Sequence, residues 1–252
     1  MVKQEKFTLV ILQARMSSSR LPGKVMLPIN GKPMIYRQIK RVEEASAIDS
    51  LIVATSTDSS DDVLVEYLTT KGVKVFRGSL EDVLSRFLEI EIQIQPAAIV
   101  RLTADCPLVM PELIDEMVAR FYELNVDYLS NTLGPTYPDG LDIEIVKASA
   151  LRKLGKLNLT KAEREHVTLG IYKRPLDFTL ENYQGDQDLS DNRWTVDYLE
   201  DLEFVRQVFM KFEGEESKFS LAETIEFLHN NRHIKSAISP DRRNEKLGGI
   251  DV

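Results

Sequence analysis

One loop near the N-terminus brings together the residue types that bind phosphate. Residues 13–24 read Gln-Ala-Arg-Met-Ser-Ser-Ser-Arg-Leu-Pro-Gly-Lys, so three cations, Arg15, Arg20 and Lys24, stand among three serines and a glycine. Serine and glycine let backbone N–H groups approach an anion closely, while guanidinium and ammonium groups neutralise its charge. The segment therefore predicts a polyphosphate site. The alternative is a solvated basic loop with a turn at Pro22-Gly23.

The charge around this loop differs from that of the whole chain. The 252 residues carry a net charge of −8, from 32 basic and 40 acidic side chains, which predicts no nucleic-acid partner. Residues 6–42 nevertheless contain eight basic residues and no acidic one. The loop is not a P-loop, because Val25 follows Lys24 where a serine or threonine would be needed. The eight basic residues are Lys6, Arg15, Arg20, Lys24, Lys32, Arg37, Lys40 and Arg41.

Two separate aspartates are candidates for a metal site or for ordinary structural roles. Asp105 follows a buried apolar segment, where its carboxylate would suit Mg²⁺, which takes one or two carboxylates plus substrate phosphates. The alternative is a simple Asp-Cys-Pro turn. Asp197 stands three residues before Glu200 and ahead of a helical pattern, which is the spacing of a helix N-cap.

A third acidic group consists of Asp139, Asp142 and Glu144. On a strand the last two would point to the same face. The group predicts contact with sugar hydroxyls, a contribution to metal binding, or a solvated sheet face. Cys106 has no histidine placed beside it by the sequence, so it is interpreted as a small buried residue. Three scattered histidines do not predict a zinc site.

The elements that must position these residues alternate in the first half of the chain. Apolar runs predict buried strands, and the segments between them predict helices. This order predicts an α/β fold with a mostly parallel sheet and helices on both faces. Pro33 is expected in the first turn of the first helix, with Lys40 and Arg41 on its solvated face. Ser79 and Asp82 have the spacing of a capping box. Strands are predicted at 7–12, 51–55, 73–76, 97–102 and 126–129, and helices at about 33–46, 61–71, 79–95 and 111–124.

The second half of the chain is less regular. Residues 141–146 alternate strictly between apolar and polar side chains, which predicts a half-exposed strand suited to antiparallel pairing. The tail from Ser239 is polar and is expected to be poorly ordered or to pack on a partner. A further strand is predicted at 178–183, and helices at 149–157, 161–172, 199–212 and 221–230.

Composition places the chain among cytoplasmic proteins with no membrane partner. One cysteine excludes an internal disulfide, and neither a signal peptide nor a transmembrane helix is expected, because the first apolar run is only about one strand long and no run reaches about 18 residues. We expect a single domain of residues 1–252. It would comprise a nucleotide-binding half (1–130), an acceptor-binding and dimerisation half (131–238) and a tail (239–252).

The sequence resembles the CMP-sugar synthetase superfamily, and within it the spore coat polysaccharide biosynthesis cytidylyltransferases. The loop at residues 13–24 is similar to the superfamily signature, and four further blocks follow in the right order over about 230 residues. These blocks are Arg-Leu-Thr-Ala-Asp-Cys-Pro-Leu at 101–108, Pro-Asp-Gly-Leu-Asp-Ile-Glu at 138–144, Arg-Glu-His-Val-Thr at 164–168 and Trp-Thr-Val-Asp-Tyr-Leu-Glu-Asp at 194–201.

The resemblance implies a magnesium-dependent cytidylyltransferase with a Rossmann-like nucleotidyltransferase fold of the glycosyltransferase-A type. It would transfer CMP from CTP to a sugar acid or sugar phosphate, and it would form a homodimer. The resemblance assigns Mg²⁺ to Asp105 and Asp197. It assigns catalysis to Arg15, Lys24 and Asp105, and the acceptor to Asp139, Asp142, Glu144 and His166. Nucleotide binding is expected of Gln13, Ala14, Arg15, Ser17, Ser18, Ser19, Arg20, Lys24, Thr55 and Arg101.

Two other functions remain compatible with the residues. A glycosyltransferase of the same fold would bind a nucleotide-sugar donor and release no pyrophosphate, although the basic loop is richer than a diphosphate requires. A non-catalytic sugar-nucleotide-binding subunit is a second alternative, against which the intact Asp105 and Asp197 argue. Residue patterns alone name neither the acceptor nor the base of the nucleotide.

Overall fold

A seven-stranded sheet forms the centre of the molecule, in a computed structural model that describes residues 6–235. Its strand order is β5-β4-β1-β6-β8-β7-β9, and a separate two-stranded ribbon pairs β2 with β3. The tail predicted at 239–252 lies outside the described residues. The strands are β1 (Thr8–Gln13), β2 (Pro28–Ile29), β3 (Lys32–Pro33), β4 (Ser50–Ser56), β5 (Lys74–Gly78), β6 (Ala98–Thr103), β7 (Tyr128–Ser130), β8 (Glu144–Lys147) and β9 (Leu180–Asn182).

The first half of the chain builds the parallel part of this sheet. β1 lies between β4 and β6 and is parallel to both, and β5 extends the sheet beyond β4 in the same direction. β8 then pairs antiparallel with both β6 and β7, and β9 closes the far side parallel to β7. The predicted mostly parallel α/β sheet is confirmed, and the carboxyl ends of β1, β4, β5 and β6 meet at one edge.

Helices cover both faces of the sheet, as predicted. Along β1, Val10 and Leu12 enter one hydrophobic cluster while Leu9 and Ile11 enter the other, because successive side chains of a strand point to opposite faces. Helices α1, α2, α4 and α8 contribute to the first cluster, and α3, α5 and α7 to the second. The helices are α1 (Met34–Val42), α2 (Asp62–Thr70), α3 (Val83–Ile94), α4 (Pro111–Leu124), α5 (Ala148–Gly155), α6 (Lys161–Glu165), α7 (Leu169–Tyr172), α8 (Leu199–Lys211) and α9 (Leu221–Asn230).

Two predicted helix starts differ from the structure. Pro33 precedes α1 as its N-cap instead of lying within the first turn, and α1 ends at Val42, four residues earlier than predicted. The cap of α3 is Asp82, whose carboxylate accepts from the backbone of Ser85, while the Ser79 hydroxyl accepts from Asp82. The predicted capping box at Ser79 is therefore a tight turn, and the N-cap of α3 is Asp82, three residues later.

Two second-half elements are shorter than the pattern predicted. β8 begins only at Glu144 and is buried over Glu144–Val146, so the expected half-exposed strand from residue 141 is wrong. Asp142 lies before the strand, which removes the argument that it shares a strand face with Glu144. The helix predicted at 161–172 is divided into α6 and α7, because Val167 has a left-handed φ of 35°.

Arg41 corrects the prediction for the first helix. Lys40 is exposed and pairs with Glu43, but Arg41 is completely buried. Its guanidinium donates to the carbonyls of Val109, Glu216 and Phe219, so it joins α1 to two distant segments of chain. Among the described residues, no helix is long and apolar enough to cross a membrane.

Candidate active site

A polar cleft of about 180 Å³ opens at the edge where the parallel strands end. Its floor comes from the end of β1 and the turn after β6, and one wall is the loop of residues 13–24. The beginning of α3 and the segment before α8 form the rest of the cleft lining. The lining residues are Gln13, Ala14, Arg15, Ser18, Ser19, Arg20, Lys24, Val25, Val83, Arg86, Thr103, Ala104, Asp105 and Asp197.

The basic loop is anchored by Asp61, a buried residue just before α2. One carboxylate oxygen of Asp61 accepts the backbone N–H of Met16 at 2.7 Å, and the other accepts the hydroxyls of Thr55 and Ser56. Burial would raise the pKa of Asp61, but these hydrogen bonds hold it below its ordinary value. Thr55 is therefore a buried support of the loop and does not line the cleft, where the sequence had placed it.

Lys24 is the most constrained cation of the cleft. Its ammonium lies 3.1 Å from a carboxylate oxygen of Asp105 and 3.1 Å from one of Asp197, and it donates to the carbonyl of Val196 at 2.7 Å. These three contacts use all three of its N–H donors. Burial would lower the pKa of Lys24, but the two carboxylates raise it overall, so the residue is charged.

The two aspartates that contact Lys24 are ionised. Burial would raise the pKa of Asp105 and of Asp197, but Lys24 brings both below the ordinary value. Asp197 is also paired with Arg20 at 2.6 Å. Two cations of the basic loop therefore share one carboxylate at the mouth of the cleft.

Arg193 holds the opposite side of Asp197. Its guanidinium donates to the second carboxylate oxygen of Asp197 at 2.9 Å and to Asp139 at 3.2 Å. The predicted N-cap role of Asp197 is not what the structure shows, because Tyr198 is the N-cap of α8. The carboxylate of Asp201 accepts the backbone N–H groups of Asp197 and Tyr198 instead.

Gly140 allows the Asp139 loop to pack directly on the chain before Asp197. Its φ is 110°, and a Cβ atom there would lie 2.5 Å from the backbone nitrogen of Thr195. Only glycine fits such a close approach. The backbone N–H groups of Trp194 and Thr195 both donate to the carbonyl of Asp139, so the two segments form one unit.

Glu144 lies in a buried polar network next to the cleft. One of its carboxylate oxygens accepts from Arg101, and the other accepts the hydroxyls of Tyr128 and Thr168, each at 2.5 Å. Arg101 in turn donates to the side-chain oxygen of Gln13 at 3.3 Å. Both oxygens of Glu144 are thus occupied inside the protein, which favours a positioning role over the predicted sugar contact.

The structure brings most of the predicted nucleotide-binding residues together at the cleft. Ser17 is exposed outside the lining, and Arg101 approaches the cleft only through Gln13. His166 is half-buried outside the lining, and burial foremost lowers its pKa. The carbonyl of Asp139 accepts from Thr195, whose hydroxyl donates to the carbonyl of Asp105, so the Asp139 loop lies beside the Asp105 turn. Burial foremost raises the pKa of the Cys106 thiol, and the carboxylates of Asp105, Asp142 and Asp139 raise it further.

Two arginines of this site were missed by sequence reasoning. Arg86 lines the cleft from α3, and Arg193 supports Asp197. Arg193 directly precedes the block at 194–201, which was a usable signal. Arg86 had none, because one arginine in an amphipathic helix ordinarily predicts a solvated face.

Comparison with known proteins identifies the family of the chain. Residues 9–234 match the sequence model of a family described as cytidylyltransferase. The chain belongs to the cytidylyltransferase family. It is therefore a nucleotidyltransferase, and the resemblance seen in the sequence is confirmed.

Individual cytidylyltransferase relatives cover nearly the whole chain. The chain is 34% identical over 230 residues to the spore coat polysaccharide biosynthesis protein SpsF of Bacillus subtilis, covering 88% of this chain and 94% of that protein. A solved cytidylyltransferase from Leptospira borgpetersenii superposes with a TM-score of 0.87 and 32% identity, over 93% of this chain and 99% of that one.

A more distant structure shares the fold alone. A CMP:2-keto-3-deoxy-manno-octonic acid synthetase complexed with CTP superposes with a TM-score of 0.64 at 18% identity, covering 81% of this chain and 99% of that one. This likeness confirms the predicted nucleotidyltransferase fold.

The donor set at Asp105 and Asp197 fits a magnesium ion. Oxygens of both carboxylates converge on one cation, the ammonium of Lys24, so they face a common point. No cluster of three or more histidine, cysteine, aspartate or glutamate residues that could hold a metal occurs within residues 6–235. Two carboxylates without further protein ligands match Mg²⁺, which completes its shell with water and phosphate oxygens.

Proposed function

We propose that this cytidylyltransferase transfers CMP from CTP to a sugar acid or sugar phosphate and releases pyrophosphate. The observation that carries the proposal is the meeting of Lys24, Asp105 and Asp197 in a cleft lined by the basic loop. A relative named for spore coat polysaccharide biosynthesis supports a sugar as the acceptor. The solved relative with bound CTP supports the choice of nucleotide.

The proposed reaction needs no nucleophile from the protein. An oxygen of the acceptor attacks the α-phosphorus of CTP and forms a new P–O bond. The bond from the α-phosphorus to the bridging oxygen breaks, and pyrophosphate leaves with the electron pair. A hydroxyl acceptor loses its proton to solvent, whereas a phosphate acceptor attacks as an anion. Such transfers depend on positioning and charge stabilisation.

The loop cations supply that charge stabilisation. Arg15 is exposed at the rim of the cleft and makes the first contact with the triphosphate. Arg20 and Lys24 exchange their carboxylate partners for phosphate oxygens as the nucleotide enters. This exchange costs little electrostatic energy, because a phosphate anion replaces a carboxylate anion beside each cation.

Asp105 and Asp197 would hold Mg²⁺ when the nucleotide is bound. The ion would supply Lewis-acid polarisation of the phosphate oxygens. Arg193 keeps the Asp197 carboxylate turned so that one oxygen faces Lys24 and the cleft. Asp139 and Asp142, beside the Asp105 turn, define the side from which the acceptor approaches, and His166 is a further acceptor candidate. We also propose a homodimer in solution.

The test is pyrophosphate release from each of the four nucleoside triphosphates with Mg²⁺ over a panel of sugar acids and sugar phosphates. We expect release that depends on CTP, acceptor and Mg²⁺ together. Asp105→Ala should abolish it while the protein still unfolds cooperatively on heating, whereas Arg120→Met, an exposed change on α4, should leave it intact.

Further measurements separate the proposed function from its alternatives. Thermal stabilisation by UDP-sugars but not by CTP would instead indicate a glycosyltransferase. Nucleotide binding without pyrophosphate release for any acceptor would favour a binding subunit. Near-normal magnesium-dependent release by Asp105→Ala would contradict the proposal, and light scattering tests the homodimer.

A further inference from the structure

Arg86 lines the cleft but has no role in the nucleotidyl transfer chemistry described above. It is 1% exposed, yet its side chain lines the cleft from the first turns of α3. It makes no ion pair with a carboxylate within residues 6–235. A buried guanidinium without a counter-ion is costly unless its donors are satisfied or reserved for a ligand.

Two backbone carbonyls fix the orientation of this guanidinium. Nε donates to Ser79 at 2.6 Å and Nη2 donates to Leu80 at 2.9 Å. Gly78 makes room for the side chain, because a Cβ atom there would lie 2.9 Å from Cγ of Arg86. The side chain is thus held rigidly by the turn between β5 and α3.

The remaining donors of Arg86 form an unused fork. An arginine has five N–H donors, and these two bonds occupy only two of them. Both hydrogens on Nη1 and one on Nη2 have no partner among the described residues. A planar fork of this kind recognises a pair of adjacent acceptor atoms.

The position of Arg86 in the sheet order identifies the part of the nucleotide it meets. The phosphate end of the cleft is fixed by Lys24, Asp105 and Asp197 at the end of β6. β5, which leads into α3, lies three strands from β6, or about 14 Å at the usual spacing between strands. A nucleotide with its phosphates at the carboxylates would therefore extend its base across β1 towards the α3 wall.

We propose that Arg86 recognises the base of the nucleotide by donating to two neighbouring ring acceptors. O2 and N3 of cytosine are such a pair. In uracil N3 carries a hydrogen, so the same fork would face a donor. Val83, one turn before Arg86, supplies an apolar surface in the same wall. Arg86 would thus favour cytosine, an inference that rests on the proposed function.

Binding measurements on the intact protein separate base recognition from phosphate binding. Titration calorimetry with CTP, UTP and inorganic tripolyphosphate, each with Mg²⁺, is carried out on the native protein, Arg86→Met, Arg86→Lys and the control Arg120→Met. We expect Arg86→Met to weaken CTP binding about tenfold or more, since a bidentate base contact has that value. Its affinity for tripolyphosphate should be unchanged, and its preference for CTP over UTP should fall.

Arg86→Lys keeps the charge and the stem but lacks the fork, so it should also lose the preference for CTP. It decides the matter if Arg86→Met fails to fold, as judged by thermal unfolding. Equal weakening of CTP and tripolyphosphate would assign Arg86 to phosphate and overturn the inference. Unchanged CTP affinity and preference in both variants would also overturn it. If the native protein binds none of the three ligands, the proposed function fails first.

Discussion

The ammonium of Lys24 lies 3.1 Å from the carboxylate of Asp105 and occupies the point on which the carboxylate of Asp197 also converges. A lysine in this place acts as an internal counter-ion. It keeps the half-buried Asp105 and the buried Asp197 ionised and close together, which their mutual repulsion would otherwise oppose. It also stands where a divalent cation would bind.

Removing this counter-ion should free the carboxylate of Asp105 for metal and leave Asp197 with two cation contacts instead of three. We predict that Lys24→Met binds Mn²⁺ without nucleotide more tightly than the native protein, by about 5- to 150-fold, the usual range of coupling between two sites. Electron spin resonance of free Mn²⁺ measures this directly, with Lys40→Met as the exposed control. Pyrophosphate release should fall about 10²- to 10³-fold, as for loss of one charge-stabilising donor. Mn²⁺ affinity no higher than that of the native protein would contradict the counter-ion role.

Glu144 should matter for stability more than for the acceptor. Glu144→Gln leaves the largely buried Arg101, whose side chain is 14% exposed, without its ion pair, and we expect a loss of about 3 kcal/mol in the free energy of unfolding. Urea unfolding measures this. Asp142→Asn should instead raise the KM for the acceptor with little change in stability. A Glu144→Gln protein of native stability whose acceptor KM alone rises would restore the sugar contact predicted from sequence.

Arg41 should be a major support of the packing between α1 and the segment before α9. Arg41→Met removes the donors to the carbonyls of Val109, Glu216 and Phe219 and the stacking on the Phe219 ring at 3.6 Å. We expect a loss of about 3 kcal/mol, because the buried carbonyls of Val109 and Phe219 and the part-buried carbonyl of Glu216 lose their donor. The adjacent Lys40→Met is the control and should change stability by less than about 0.5 kcal/mol. Equal effects of the two changes would show that burial of Arg41 is unimportant.

Glu163 should make stability depend on acid pH. Burial would raise the pKa of Glu163, but hydrogen bonds from Arg174 and from the backbone and hydroxyl of Thr160 lower it to about 2. Its pKa in the unfolded chain is the ordinary 4.5. Because the folded state binds this proton more weakly, the stabilisation is complete above pH 4.5 and is lost as pH falls towards 2.

The matching experiment compares Glu163→Gln with the native protein by urea unfolding between pH 7 and pH 3. We expect a difference of about 1–3 kcal/mol at pH 7 that shrinks as the pH falls. Glu81→Gln, at an exposed site, is the control and should show almost no difference at any pH. A Glu163→Gln difference that is constant over this range would show that the carboxylate charge is not responsible.

The sequence predicted the elements whose pattern is local. The apolar runs at β1, β4 and β6 are long enough to identify buried strands, and the basic loop was recognisable because its charge contrasts with the rest of the chain. The break at Val167 was not predictable, because a valine in a left-handed backbone carries no glycine signal.

Contacts between residues that are far apart in the sequence explain why the surroundings of some side chains were predicted wrongly. Glu144 and Arg101 meet only because β8 runs antiparallel beside β6, and a strand pattern does not reveal its neighbour. Arg41 looked solvated because the carbonyls that receive its donors lie near residues 109 and 216–219, far along the chain. Asp197 had the spacing of a cap, yet Tyr198 is the N-cap of α8 and Asp201 accepts the backbone N–H groups there, which leaves Asp197 to Lys24.

The close contact at Gly140 limits how this enzyme can change over evolution. The loop carrying Asp139 and the segment carrying Asp197 are in backbone contact at Gly140, a position that tolerates no side chain. Under the proposed function, substitutions that adapt the site to another acceptor would therefore fall on side chains around this contact, since moving the loop would displace the segment that carries Asp197. The backbone contact itself would stay as it is.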